Sequence, residues 1–118
     1  MIYKEIKFTT GGIYKGYVNH DGQLEGVGIN TYLSGKKEMG EYHLNKLNGY
    51  AKVEKPNNIS YWGEFKENKK EGYGTYVSAS GSIYTGQFIN DKINGYGIKR
   101  WVDGNVYHGE FKDRKRDG

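Results

Sequence analysis

The chain has 118 residues, 15 % of them aromatic, with 19 glycines, one proline, no cysteine and a formal net charge of +4. The absence of cysteine excludes a disulfide framework, a thiol nucleophile and a thiolate metal site. No apolar run reaches the roughly 18 residues of a membrane-spanning helix, and the length suits one domain. Leu, Ile, Val and Phe make up only about a fifth of the chain, a fraction that warns of disorder. The mild charge and the abundance of rings oppose that warning. A net +4 permits anionic partners without requiring them.

In chain order, residues 2–8 (Ile-Tyr-Lys-Glu-Ile-Lys-Phe) lack a secretory apolar core and read as a strand. Residues 1–10 are expected to form an N-terminal cap strand. A repeat begins at Gly11. Tyr14-Lys15-Gly16, Tyr61-Trp62-Gly63, Tyr84-Thr85-Gly86 and Tyr107-His108-Gly109 share one pattern, and the last three start 23 residues apart. Glu38-Met39-Gly40 fills the gap, 24 residues after Tyr14. Two positions beyond each glycine stand Val18, Tyr42, Phe65, Phe88 and Phe111. Further on come Gly26 and Gly28, Gly49 with Ala51, Gly72 and Gly74, and Gly95 and Gly97. Seventeen of the nineteen glycines keep these registers. The expected units are 11–34, 35–57, 58–80, 81–103 and an incomplete 104–118.

Each unit reads as a β-hairpin. In Ile83-Tyr84-Thr85-Gly86-Gln87-Phe88 the tyrosine, glycine and phenylalanine alternate and so share one strand face. Asn90-Asp91 makes a polar turn, Gly95 to Trp101 returns, and Asp103-Gly104 is a tight-turn signal into the next unit. At that linking turn glycine gives way only to Asn58, the kind of residue most tolerant of positive φ after glycine. Strand glycines cost stability. The expected compensation is a neighbouring ring seated in the space of the missing side chain. The predicted fold is all-β, a single-layer antiparallel sheet of consecutive hairpins. Two strands per unit at about 4.8 Å spacing give a rod about 45–50 Å long, with each hairpin supported by its neighbours.

The register Tyr-x-Gly-x-Phe followed by Gly-x-Gly on a 23-residue period resembles the MORN (membrane occupation and recognition nexus) repeat. The residues that carry the resemblance are Tyr14 and Gly16; Tyr61, Gly63 and Phe65; Tyr84, Gly86 and Phe88; and Tyr107, Gly109 and Phe111. Glu38 in a tyrosine place, Ala51 in a glycine place and Val18 in a phenylalanine place depart from it, so looser stacking is expected there. The resemblance implies a scaffold, a lipid-associated tether or an accessory module beside a catalytic domain.

Three surfaces are candidates. Lys46, Lys69, Lys92 and Lys115 recur at the hairpin turn and are expected along one edge at about 10 Å intervals. Lys70, Arg114 and Arg116 thicken that row, which suits anionic headgroups. Glu67, Glu71, Asp91, Asp113 and Asp117 dilute it. The columns Tyr50/Tyr73/Tyr96, Tyr61/Tyr84/Tyr107 and Tyr42/Phe65/Phe88/Phe111 are expected mostly in the core. Trp62 and Trp101, with Tyr96, form the expected surface for a protein partner. Glu41, Glu64 and Glu110, with Gln87 in the same register, point away from the ring face and read as a solvated polar face rather than a carboxylate pair for glycoside hydrolysis. His20, His43 and His108 occupy three different repeat positions and share no ligand geometry. No cofactor, metal or catalytic residue is expected. The Gly-x-Gly pairs lack the helix and the Lys-Ser/Thr of a phosphate loop, and the dispersed charge argues against nucleic acid. The last strand leaves a sheet edge open to self-association. The expected reading is a non-catalytic protein-interaction or scaffolding module. Peripheral binding of anionic phospholipid, or a targeting part of a larger enzyme, is the alternative. A cytoplasmic location, at a membrane or the cytoskeleton, goes with either.

Overall fold

The computed structural model describes residues 1–114. Ten strands follow one another without a crossover and form one antiparallel sheet in sequence order. They are β1 (Ile2–Lys7), β2 (Ile13–Val18), β3 (Leu24–Thr31), β4 (Lys37–His43), β5 (Lys46–Lys55), β6 (Ile59–Lys66), β7 (Lys69–Val77), β8 (Ile83–Ile89), β9 (Lys92–Arg100) and β10 (Val106–Arg114). The molecule measures 48 × 25 × 17 Å, the long, thin shape expected of stacked hairpins.

The first hairpin turn, between β2 and β3, is built like the linking turns, with Gly22 at φ 82°; from β3 onward two kinds of turn alternate along the sheet. Leu44-Asn45, Glu67-Asn68 and Asn90-Asp91 have positive φ at both residues, the geometry of two-residue hairpins whose twist matches that of the strands. Each is tied to the preceding hairpin. The Asn68 amide donates to the Leu47 carbonyl at 2.9 Å, and the Leu47 amide donates to Asn68 Oδ1 at 2.8 Å. Asn45 with Leu24, and Asp91 with Lys70, repeat the same pair of bonds. At the opposite edge, the linking turns place Gly11, Gly35, Gly81 and Gly104 at φ between 93° and 97°. In the third linking turn Asn57 and Asn58 take φ of 68° and 64° after Pro56, so asparagine does replace glycine where a left-handed residue is needed.

One face of the sheet is packed. Tyr14, Tyr61, Tyr84 and Phe88 are at most 2 % exposed. The ring of Tyr61 lies over Gly63 and Gly74, which are cross-strand partners, and Tyr84 lies over Gly86 and Gly97 in the same way. The rings then pack edge to face. Tyr61 meets Phe65 at 5.0 Å and Phe88 at 5.1 Å; Tyr84 meets Phe88 at 5.3 Å and Phe111 at 5.1 Å. Each tyrosine thus touches the phenylalanine of its own unit and that of the next. Such pairs favour T-shaped geometry because the ring quadrupole sets edge against face. The glycines remove the side chains that would hold the rings away from the backbone, and a core forms without a second layer.

A bulge accompanies every ring. Between Gly63↔Gly74 and Phe65↔Lys70 the register shifts, and Glu64 has no opposite number on β7. The Tyr61 hydroxyl donates to the Glu64 carbonyl at 3.0 Å. Tyr14, Tyr84 and Tyr107 make the same bond to Tyr17, Gln87 and Glu110. The recurring phenol is therefore a backbone cap as well as a packing ring.

Candidate functional site

Strand alternation puts Tyr73 between Gly72 and Gly74, opposite the ring face. Tyr50, Tyr73 and Tyr96 are 62–67 % exposed, and Trp62 is 68 % exposed on the same side. This corrects the expectation that the Tyr50/Tyr73/Tyr96 column lies in the core. Because the second glycine must face the ring, the residue before it must face away. Val27, Ile29 and Ile98 extend the same exposed face. Trp101 does not join it. It keeps the parity of buried Lys99, whose ammonium lies 5.2 Å from its ring.

The recurring glutamates have a structural task here. Glu64 Oε2 accepts the Tyr73 amide at 2.9 Å, and Glu41 Oε1 accepts the Tyr50 amide at 2.7 Å. Gln87 Oε1 accepts the Tyr96 amide at 2.7 Å. These amides follow Gly49, Gly72 and Gly95, whose φ values of 84–117° mark the bulge. The face read as merely solvated thus carries the acceptors that close the bulge. A glutamine serves as well because only an oxygen is required.

The turn edge carries Lys46, Lys69 and Lys92, all exposed. Lys46 pairs with Glu67 at 3.8 Å, and Lys70 pairs with Asp91 at 3.7 Å. Nearby, Glu25 accepts the Leu44 amide at 3.1 Å and lies 2.8 Å from His43 Nδ1. The His43 hydrogen bond is the main reason the Glu25 carboxyl sits below its ordinary range. The expected Lys115 and Arg116 lie outside the described residues.

A third site was not anticipated. Where the other units place a tyrosine, the second places Glu38, and the ring chain is interrupted there. Tyr42 reaches back to Tyr14 at 5.6 Å, but among the described residues no ring stands at position 38 to link it forward to Phe65, which packs on Tyr61 instead. A cavity of about 370 Å³ occupies the gap, lined by Asn30, Tyr32, Lys36, Glu38, Tyr42, Leu47, Val53, Tyr61, Phe65, Tyr76 and others. The hydroxyls of Tyr32 and Tyr42 both donate to Glu38 Oε1, at 3.0 and 2.9 Å. Lys36 Nζ lies 3.2 Å from Oε2. Burial, then the Glu38 charge and hydrogen bond, push the Tyr32 hydroxyl up to about 12. The same causes push Tyr42 well above the usual phenol range, opposed by a hydrogen bond to Asn30. The signal in the sequence was the double departure at Glu38 and Ala51. It foretold looser stacking, but not that polar groups converge in the space.

The MORN repeat profile matches residues 61–83 and 84–106. No curated protein matches the chain. Among solved structures the chain is similar to the SAS-4 (dCPAP) TCP domain in complex with a proline-rich motif of Ana2 (dSTIL) of Drosophila melanogaster. That similarity has a TM-score of 0.48 and 16 % identity, over 92 % of this chain and 77 % of that one. The two matched segments are consecutive hairpin units, and residues 61–106 thus match the MORN repeat.

Proposed function

We propose that the chain is a non-catalytic module that binds a protein partner through the sheet face opposite its ring core. One observation carries this reading: Tyr50, Trp62, Tyr73 and Tyr96 stand largely exposed on a hydrogen-bonded sheet. Tyrosine and tryptophan are enriched at interface centres because they bury much area for little rotamer entropy. An exposed apolar stripe of this kind favours a protein contact. The clamps at Glu41, Glu64 and Gln87 each hold the backbone amide of one exposed tyrosine, so the backbone of the stripe is pinned before any partner arrives.

The basic turn edge supports a second reading, attachment to anionic phospholipid. Lys46, Lys69 and Lys92 recur at three successive hairpins, but Glu67 and Asp91 pair with two of the edge's cations and weaken the field. The test separates the two readings. Partner capture by the full chain is compared with capture by Trp62→Ser/Tyr96→Ser, alongside flotation with anionic vesicles. Capture that survives moderate salt and is lost in the double variant supports the protein reading. Salt-sensitive flotation abolished by Lys46→Gln/Lys69→Gln/Lys92→Gln supports the lipid one.

A further inference from the structure

We propose that the cavity at Glu38 receives the guanidinium group of an arginine side chain presented by a partner peptide. The site shares no residue with the exposed tyrosine stripe and stands or falls separately from it.

The floor of the cavity supplies two acceptors on directly opposed residues. Asn30 on β3 pairs with Glu38 on β4. Both are 7 % exposed. Asn30 Oδ1 is buried and has no hydrogen-bond partner among the described residues. A buried acceptor without a donor is a standing cost that an incoming N–H removes. Glu38 Oε1 is already filled by two phenols, so Oε2, which holds Lys36 Nζ at 3.2 Å, is the oxygen at which one cation can be exchanged for another. Cross-strand neighbours hold their β-carbons about 5 Å apart. A planar fork of N–H donors can therefore reach Asn30 Oδ1 and Glu38 Oε2 together. Guanidinium has that fork and ammonium does not.

The chain's own lysines show that this wall holds cations. Lys36 Nζ contacts Glu38 Oε2 and lies 4.9 Å from the centre of the Tyr32 ring. Lys70 Nζ lies 5.2 Å from the Tyr61 ring and 3.7 Å from Asp91. Ring faces attract cations through their quadrupole. Lys36 follows the Gly35 turn and is one-third exposed, so it can swing into water. Exchanging it for an arginine leaves the net charge of the site unchanged, which matters because Lys55 and Lys70 also line the cavity. An anion would meet Glu38 and Asp91 instead, and the nearest phenol donors are already committed to Glu38. Lys36 therefore acts as a resident occupant that an arginine displaces.

The test titrates acetyl-Gly-Arg-Gly-amide into the isotope-labelled full chain and follows the backbone amides by NMR, with acetyl-Gly-Lys-Gly-amide and acetyl-Gly-Glu-Gly-amide as comparators. Shifts centred on Asn30, Glu38 and Tyr42 are expected with the arginine peptide. Removing the resident cation with Lys36→Met should tighten binding, and Glu38→Gln should weaken it about tenfold, the worth of one charge-assisted hydrogen bond. Lys36→Gln repeats the first arm should Lys36→Met fail to fold, and Lys52→Met on another part of the sheet should change nothing. Absence of shifts at these three residues in both the wild type and the Lys36 variant overturns the proposal. So do equal shifts with the glutamate peptide, or equal affinity in Glu38→Gln.

Discussion

The ring of Tyr61 occupies the space that a Cβ on Gly74 would fill. That contact makes the glycine part of the core, since the missing side chain is what seats the ring against backbone. Replacing Gly74 with alanine should displace the ring and destabilise the chain by about 1–3 kcal/mol, the usual cost of overpacking. Ala51→Gly, where no ring presses, should cost only about 0.5–1 kcal/mol through backbone entropy. Urea titration of both variants checks the contrast.

Glu38 and Ala51 depart from the repeat together because they answer one another. A methyl is tolerated at Ala51 where no tyrosine ring lies above it. Glu38→Tyr alone should therefore fold less stably than Glu38→Tyr/Ala51→Gly, which restores the ring over a glycine and fills the gap between Tyr42 and Phe65. A coupling of about 1–3 kcal/mol is expected for residues that share one cavity. A double-mutant cycle measures it, and strict additivity would refute the pairing.

Glu64 serves its unit through oxygen rather than charge. Glu64→Gln should be close to neutral, because Gln87 already makes the equivalent bond to Tyr96 at 2.7 Å. Glu64→Ala should cost about 0.5–1.5 kcal/mol by leaving the Tyr73 amide without its acceptor. Amide exchange at Tyr73 should accelerate in the alanine variant and stay slow in the glutamine one.

Alkaline pH should unfold the sheet from its packed face. Burial raises the hydroxyls of Tyr14, Tyr32, Tyr42, Tyr61 and Tyr84, with Tyr32 and Tyr84 pushed up to about 12. A folded value above the unfolded one means that the native state holds its protons longer. The resulting stability is complete below an unfolded value of about 10 and is lost as pH rises from there through the folded values. Far-ultraviolet circular dichroism against pH, beside phenolate absorbance, should show these tyrosines ionising together with unfolding. Ionisation of the packed tyrosines while the sheet stays intact would contradict the assignment.

The amino-acid sequence by itself determined the hairpin period, the shared face of Tyr84, Gly86 and Phe88, and the left-handed turn at Asn58. These follow from strand alternation and from the few residues that accept positive φ, both of which are local. It also contained the outward direction of Tyr73, which the flanking glycines dictate once the ring is known to lie over Gly74. Only the tertiary structure decided which atoms meet across strands. The register shift at each bulge turned Glu41, Glu64 and Gln87 from surface polar residues into backbone acceptors. Curling of one sheet upon its own rings turned the single missing tyrosine at Glu38 into a cavity, where Asn30, Tyr32, Lys36 and Tyr42 converge. Those side chains come from β3, β4 and the turn between them, and their meeting depends on cross-strand pairing and on a ring that is absent.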